Sequence, residues 1–245
     1  MKTSKTDISK LKKLAEQGDA EAQYAVGDYY TCEEENLEEA FRWYLLSAEQ
    51  GYAVAQFDVA ECLFSGTGVK QNQEEAFKWY QKSAQGGHAA AQVALGILYD
   101  EGEIVLQNFA EAAKWYRLAA EQGNVMGQHN LGCLYLDGIG VEQDFDKAFE
   151  LFSLSAEHEV VSAMTNLGYC FEMGYGTPQD IKKAVEYYTL AANQGDAVGA
   201  FNLGECYELG KGVEKDLGRA LEWYSIAAER GDEDAPHKVQ ELTSQ

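Results

Sequence analysis

The sequence predicts an all-α fold, a right-handed α/α superhelical solenoid of antiparallel helical hairpins. Three observations support this fold class. The chain repeats itself at intervals of 36 residues, except for one interval of 33 near its start. Within each repeat, apolar residues are spaced by three, four and seven positions, which is typical of one face of an α-helix. The 24 glycines and two prolines indicate helices that are separated by glycine turns.

An alanine that recurs at the start of every repeat defines the predicted domains. No single hairpin of a solenoid can bury its own apolar face, so neighbouring hairpins cover it and a helix caps each end. We therefore expect about fourteen helices. The predicted segments are an N-terminal capping helix (1–14), six hairpins (15–47, 48–83, 84–119, 120–155, 156–191 and 192–227) and a C-terminal capping helix (228–245).

Two recurring positions are predicted to pack the hairpins. A position on the second helix holds a bulky side chain, most often tryptophan, and is predicted to be core. A position on the first helix, beside a leucine, holds a small residue. Because glycine inside a helix costs about 1 kcal/mol relative to alanine, its recurrence predicts close approach of the paired helix. The two sets are Trp43, Trp79, Trp115 and Trp223, and Gly27, Ala60, Gly96, Gly132, Gly168 and Gly204.

Glycines and capping residues mark where the helices end and begin. Glycines follow both helices of most repeats, at places where a left-handed conformation ends a helix. Glu159 replaces one of them, so we expect a different turn or local strain there, with a distorted joint near residues 157–161. An Asn or Asp precedes each second helix as its N-cap, and Asp234 is the predicted N-cap of the last helix. Glutamates are predicted to complete capping boxes at Glu39, Glu75 and Glu111.

The composition limits the classes of partner. A formal net charge of −22 argues against binding to nucleic acid or to an anionic membrane surface and favours basic partners. The N-terminal segment lacks the apolar core of a secretory signal, and no stretch is apolar and long enough to cross a membrane. The five cysteines lie in separate repeats and are predicted to be reduced thiols. We therefore expect a cytoplasmic protein without cofactors.

The repeat unit AxxGxxxAxxxLGxxYxxGxGVxxDxxxAxxWYxxAA resembles the Sel-one-like repeat (SLR), which is related to the tetratricopeptide repeat. Residues 192–227 match this pattern at nearly every position. The resemblance implies that the first helices line the concave side of the superhelix. It also implies an adaptor or scaffold for protein complexes, with host interaction among the roles of bacterial members. A cysteine-rich branch of the family, which is linked to β-lactam binding, carries paired cysteines within repeats. No repeat of this chain contains two cysteines.

By this resemblance, the variable positions of the first helices face a groove that binds a protein or peptide. The expected ligand is an extended, basic peptide or a partner helix, and we expect a monomer. Carboxylates would pair with Lys or Arg, and aromatic side chains would fill pockets. The asparagines at one position either hold a peptide backbone or only tie adjacent helices together. The predicted groove residues are Tyr24, Asp28, Phe57, Asp58, Glu61, His129, Asn130, Asn166, Tyr169, Phe201, Asn202 and Glu205.

No enzymatic activity is predicted. The four histidines are scattered, and the sequence contains neither an HExxH nor a CxxC motif. His129 and Cys133 lie one helical turn apart, with Asp137 on the next turn. This pair leaves a Cys/His enzyme, including a β-lactam-hydrolysing one, as an alternative. A structural element that associates with itself through the groove is a further alternative.

Overall fold

The computed structural model describes residues 5–244, which form fourteen helices and no strand. Residues 1–4 of the predicted N-terminal capping helix and Gln245 lie outside the described residues. The helices are α1 (Lys5–Glu16), α2 (Ala20–Cys32), α3 (Leu37–Glu49), α4 (Ala53–Ser65), α5 (Gln73–Gln85), α6 (Ala89–Glu101), α7 (Phe109–Glu121), α8 (Val125–Asp137), α9 (Phe145–Glu157), α10 (Val161–Met173), α11 (Ile181–Asn193), α12 (Ala197–Leu209), α13 (Leu217–Glu229) and α14 (Ala235–Thr243).

The chain forms two compact units, residues 1–127 and residues 128–245. In the first unit, each helix from α2 to α7 packs against the helix before it, and in the second unit the same holds from α10 to α14. The two helices of a hairpin are antiparallel. For example, Ser47 Oγ, near the end of α3, donates a hydrogen bond of 2.7 Å to the carbonyl of Ala20 at the start of α2. These features confirm the predicted all-α solenoid of helical hairpins.

The two helices of each hairpin meet where an aromatic ring lies on a small residue. A Cβ atom added at Gly168 would lie 2.6 Å from Tyr188 Cδ1, and one added at Gly204 would lie 2.8 Å from Tyr224 Cδ1. Both tyrosines are fully buried. The predicted close approach is therefore confirmed, because the ring occupies the space that a side chain would need. The glycine–ring pairs are Gly27 with Tyr44, Gly96 with Tyr116, Gly132 with Phe152, Gly168 with Tyr188 and Gly204 with Tyr224.

The tryptophan position contributes less to the core than predicted. Trp79 is 8% exposed, but Trp43, Trp115 and Trp223 are half-buried and pack at the edges of apolar clusters. The ring that lies on the small residue belongs to the next position along the helix. One residue turns the side chain by about 100° around an α-helix, which is enough to move it from the edge of the core to its centre.

The turns within the hairpins follow the predicted residue types, but the capping boxes are only half formed. Helix α4 ends at Gly66 with φ 81°, and Asn72 Oδ1 caps α5 by accepting from Glu75 N at 3.2 Å. The Asn72 N–H, however, donates to the carbonyl of Leu63 at 2.8 Å. It is therefore not free for the Glu75 carboxylate, which instead pairs with Lys78 at 2.9 Å. The predicted reciprocal bond is wrong, and the same backbone bond replaces it at Glu39 and Glu111.

The cap of the last helix also differs from the prediction. Asp234 has helical backbone angles and makes no capping hydrogen bond. Asp232 Oδ1 accepts instead, from the backbone N–H groups of Asp234 and Ala235 at 3.1 and 2.9 Å. An N-cap side chain reaches the first turn only from a non-helical backbone conformation, so Asp234 cannot take this role. Pro236 lies in the first turn, as predicted.

The joint at Glu159 is strained but not distorted. Glu159 has φ 62°, in the left-handed region that glycine adopts at the other joints, for example Gly195 at 104°. Its N–H donates to Ala156 at 3.0 Å, as that of Gly195 donates to Ala192 at 3.1 Å. The predicted strain is therefore confirmed, but the predicted distortion is wrong, because the glutamate adopts the glycine turn. The left-handed conformation costs a residue with a Cβ atom about 1–2 kcal/mol.

We expect Glu159→Gly to stabilise the protein by about 0.5–1 kcal/mol, because relief of the left-handed strain outweighs the added flexibility of the unfolded chain. The urea midpoint of unfolding measures this effect. Gly195→Ala is the matched control. Its Cβ atom would meet nothing within 4 Å, so its effect reports the backbone conformation alone and should be destabilising. A lower midpoint for Glu159→Gly would contradict the assignment of strain.

We expect Gly168→Ala to destabilise the protein by about 1–2 kcal/mol, although alanine is the better helix former. The added Cβ atom would overlap the Tyr188 ring. Gly218→Ala in α13 is the control, since its Cβ atom would approach only Asp216 Oδ1, at 3.3 Å. That change should be neutral or stabilise by up to about 1 kcal/mol. Equal effects of the two substitutions on the urea midpoint would show that the ring contact is unimportant.

Candidate partner-binding site

An acidic pocket between α2, α3 and α4 brings together four of the predicted groove residues. Its volume is about 300 Å³, and its lining includes Tyr24, Asp28, Asp58 and Glu61. The first helices α2 and α4 supply these four side chains, and α3 supplies the floor. The pocket lies wholly within the first unit.

Core residues hold the carboxylates of the pocket in place. Tyr44 Oη, from the buried ring on Gly27, donates to Asp28 Oδ1 at 2.8 Å and lies 3.1 Å from Thr31 Oγ1. Tyr80 in the next hairpin donates in the same way to Glu61. The Tyr24 ring is half-buried, with its centroid 5.5 Å from that of Tyr44. One wall of the pocket is therefore aromatic, and buried tyrosines of the core orient two of its carboxylates.

Burial in the pocket disfavours the charged form of the Asp58 carboxyl. Burial raises the pKa of the Asp58 carboxyl to about 6. The negative charges of Asp28 and Glu61 add to this rise, whereas a hydrogen bond from Tyr24 opposes it. None of the ion pairs within residues 8–244 involves Asp28, Asp58 or Glu61. The pocket thus presents carboxylates that the described part of the chain does not neutralise.

In the second unit, the two carboxylates that accept from core tyrosines are neutralised. Lys211 Nζ lies 2.7 Å from Glu172 Oε1, and Lys238 Nζ lies 3.0 Å from Glu208 Oε2. Each glutamate also accepts a hydrogen bond from the buried tyrosine of its hairpin, Tyr188 at 2.9 Å and Tyr224 at 2.6 Å. The two units therefore share a tyrosine–carboxylate pair but differ in whether a lysine of the chain completes it.

In the second unit, the predicted residues Asn130 and Asn166 both contact the imidazole of His129. His129 Nδ1 lies 3.1 Å from Asn130 Oδ1, and Asn166 Nδ2 lies 3.2 Å from His129 Nε2. Asn166 thereby ties α10 to α8, which is the structural role considered for the asparagines. Asn202, at the corresponding position of α12, is half-buried and has no such partner within residues 5–244. Its amide is free to bind another molecule.

The remaining predicted residues are spread over both units. Phe57 is half-buried against Tyr80, with ring centroids 5.9 Å apart, and does not line the acidic pocket. Phe201 is half-buried against Tyr224 at 5.2 Å, and Tyr169 is 38% exposed. Glu205 is half-buried on α12. The aromatic members of the set thus serve the packing of their hairpins as well as the surface.

The two residues of the Cys/His alternative are in contact. Cys133 Sγ lies 3.8 Å from His129 Nε2, which also accepts from Asn166. Burial lowers the pKa of the His129 imidazole, so the ring is neutral at pH 7 and does not stabilise a thiolate through its charge. Asp137 is exposed on the next turn.

Six further residues line the acidic pocket, and they include Thr31, Tyr44 and Thr67. Tyr44 directly follows Trp43, the position that the sequence predicts as core, and Thr67 carries neither a charge nor a ring. A comparison of the repeats could have identified Thr67. It directly follows Gly66, and Lys211 occupies the same position after Gly210 in the last full repeat. A larger pocket of about 460 Å³, beside Tyr207 and Arg219, is lined by none of the predicted residues.

The family model of the Sel1 repeat matches residues 20–52, 53–88, 89–124, 125–159, 161–196 and 197–232. These six matches cover most of the sequence. The chain belongs to the Sel1 repeat family. A comparison with curated proteins gave no match. Proteins of the Sel1 repeat family generally mediate protein–protein interactions and are typically non-enzymatic scaffolds.

Two solved structures show how similar this Sel1 repeat chain is to others. A protective antigen of uropathogenic Escherichia coli with an SLR fold is 35% identical, with a TM-score of 0.81 over 96% of this chain and 51% of the other. This chain therefore spans about half the length of that protein. A Sel1 repeat protein from Oxalobacter formigenes is 32% identical, with a TM-score of 0.82 over 89% of this chain and 86% of the other. Within residues 5–244, no helix is long and apolar enough to cross a membrane.

We expect Asp58→Asn to stabilise the protein at pH 7.5 and to have little effect at pH 4. The folded-state pKa of Asp58, about 6, lies above the unfolded value of about 3.9. The folded state therefore binds the proton more tightly, and the wild type loses stability as the pH rises from about 4 to about 6. Asparagine removes this loss and can still accept from Tyr24.

Urea midpoints measured across this pH range test the expectation. Glu121→Gln removes the same charge from an exposed position of α7 and controls for the change in net charge. If both variants gained equally, or if the gain of Asp58→Asn did not depend on pH, the carboxyl would not be the source of the effect.

Proposed function

We propose that this Sel1 repeat chain is a protein-interaction module whose first helices bind an extended, basic peptide segment of a partner protein. The observation that carries this proposal is the acidic pocket of the first unit. Asp28, Asp58 and Glu61 are oriented by tyrosines and are left without a cation by the described part of the chain. A desolvated carboxylate such as that of Asp58, beside two further carboxylates, is suited to Lys or Arg from another molecule.

Each unit by itself has further features that suit an extended peptide. An extended peptide needs donors and acceptors for its backbone, and the free amide of Asn202 offers both. The half-buried rings of Tyr24 and Phe201 are held by core tyrosines and are therefore rigid anchors for apolar side chains. In this proposal, the end helices α1 and α14 act as caps and the chain works as a monomer.

The proposal includes the compartment and the setting. All five cysteines are free thiols. This state fits a reducing compartment, and we place the chain in the cytoplasm. The similar protein from E. coli is a protective antigen, which favours host interaction as the setting of a Sel1 repeat scaffold.

Binding of a labelled peptide tests this function. We expect a 12-residue Lys/Gly/Ser peptide to bind in fluorescence anisotropy, more weakly at high salt, and a peptide with Glu in place of Lys not to bind. The double variant Asp58→Asn/Glu61→Gln should bind at least tenfold more weakly. The matched control Glu101→Gln/Glu121→Gln makes the same change in net charge at exposed positions of the same unit. Equal losses in both variants would reduce the binding to non-specific attraction and refute the proposal.

A further inference from the structure

The second unit shows how a lysine completes a tyrosine–carboxylate pair. Glu172 lies four residues after Gly168, the glycine on which the Tyr188 ring packs. Tyr188 Oη donates to one oxygen of the Glu172 carboxylate at 2.9 Å, and Lys211 Nζ binds the other at 2.7 Å. Lys211 directly follows Gly210, so the lysine comes from the turn of the next hairpin. The carboxylate in turn raises the pKa of the lysine.

The first unit has the same framework with shorter side chains in two places. Thr31 lies four residues after Gly27, on which the Tyr44 ring packs, and thus corresponds to Glu172. Thr67 directly follows Gly66 and thus corresponds to Lys211. Both threonines line the acidic pocket. The space that an ion pair of the chain fills in the second unit is therefore open in the first.

The carboxylates are still present in the first unit, but on neighbouring turns. Asp28, one turn before Thr31, accepts from Tyr44, and α4 adds Asp58 and Glu61. The chain repeats the lysine arrangement at its last hairpin, where Lys238 Nζ lies 3.0 Å from Glu208 and 5.8 Å from the centre of the Tyr224 ring. Two of the tyrosine–carboxylate pairs in the chain therefore bind an ammonium group.

A metal ion is a poorer occupant than an ammonium group. Within residues 5–244, no group of three or more His, Cys, Asp or Glu side chains has an arrangement that could hold a metal. An ammonium group brings three donors for several carboxylates, and its four-carbon stem can lie along aromatic rings. The volume of about 300 Å³ is at the lower end for ligand pockets, which suits one side chain.

We infer that the pocket lined by Asp28, Thr31, Asp58, Glu61 and Thr67 receives a single lysine side chain of the bound partner, in the place that Lys211 takes in the second unit. This inference rests on the proposed function and names the residue that the partner contributes. It also assigns the first unit, rather than the second, as the part of the chain that recognises the cation.

Titration of the labelled full-length chain with a minimal probe tests the inference. We expect acetyl-Gly-Lys-Gly-amide to shift the NMR signals of the Asp58 carboxyl and of the Thr31 and Thr67 methyl groups. The norleucine analogue has a similar stem without the charge and should bind at least tenfold more weakly. Equal binding of the two probes, tighter binding of the arginine analogue, or shifts centred on the second unit would each overturn the inference.

The variant Thr67→Lys supplies the lysine from the chain itself. It should raise the melting temperature, lower the pKa of Asp58 and abolish binding of the lysine probe, whereas Thr67→Ser should behave as the wild type. Thr67 is exposed, so the longer side chain can be accommodated without refolding the turn. A Thr67→Lys variant that still binds the probe with wild-type affinity would overturn the inference.

The two proposals fail in different ways. If Thr67→Lys abolishes binding of the tripeptide and the 12-residue peptide does not bind the wild type, the lysine pocket stands and the extended-peptide function falls. If the 12-residue peptide binds wild type and Thr67→Lys equally well, the lysine pocket falls and the general function stands.

Discussion

The contact between an aromatic ring and a small residue of the first helix, a glycine in five of the six hairpins, is the constraint on which the rest of the structure depends. A fully buried ring of the second helix lies on a first-helix residue that has no side chain, as Tyr188 does on Gly168. This contact sets the distance between the two helices and fixes their relative register. Because the ring is usually tyrosine, its hydroxyl also reaches a fixed point on the first helix, close to the residue four positions after the glycine.

That hydroxyl links the core to the surface. A buried tyrosine needs a partner for its O–H group, and in most hairpins an acidic side chain of the first helix accepts it. The fourth hairpin lacks both the tyrosine hydroxyl and the acidic residue that would accept from it. Phe152 has no hydroxyl, and Leu136 lies where Glu172 and Glu208 lie in the hairpins that follow. The acidic residues that characterise the first helices are thus, in part, a consequence of how the core is packed.

The proposed function depends on carboxylates that this packing does not neutralise. In the second unit, Lys211 and Lys238 form ion pairs with the carboxylates that the tyrosines orient. In the first unit, no lysine among the residues that the structure describes pairs with the pocket carboxylates, and burial raises the pKa of Asp58. In the proposed function, a cation of the partner would relieve the unfavourable burial of this charge.

Features that depend on local chemistry could be predicted from the order of the residues. The helices, the left-handed glycine turns, the Asn and Asp caps, and the close approach at glycines such as Gly168 follow from residue type and spacing. Features that depend on contacts between residues distant in sequence became visible only in the folded protein. The Asn72 N–H is taken by the carbonyl of Leu63, which precludes a capping box, and the surrounding turn holds Glu159 in a glycine conformation. Four acidic-pocket residues were predicted, but the pocket itself was not, because it arises where Thr31 and Thr67 from successive hairpins are too short to fill a shared space. Such a space has no signature along the chain, since it depends on which side chains of neighbouring hairpins come within a few ångströms of each other.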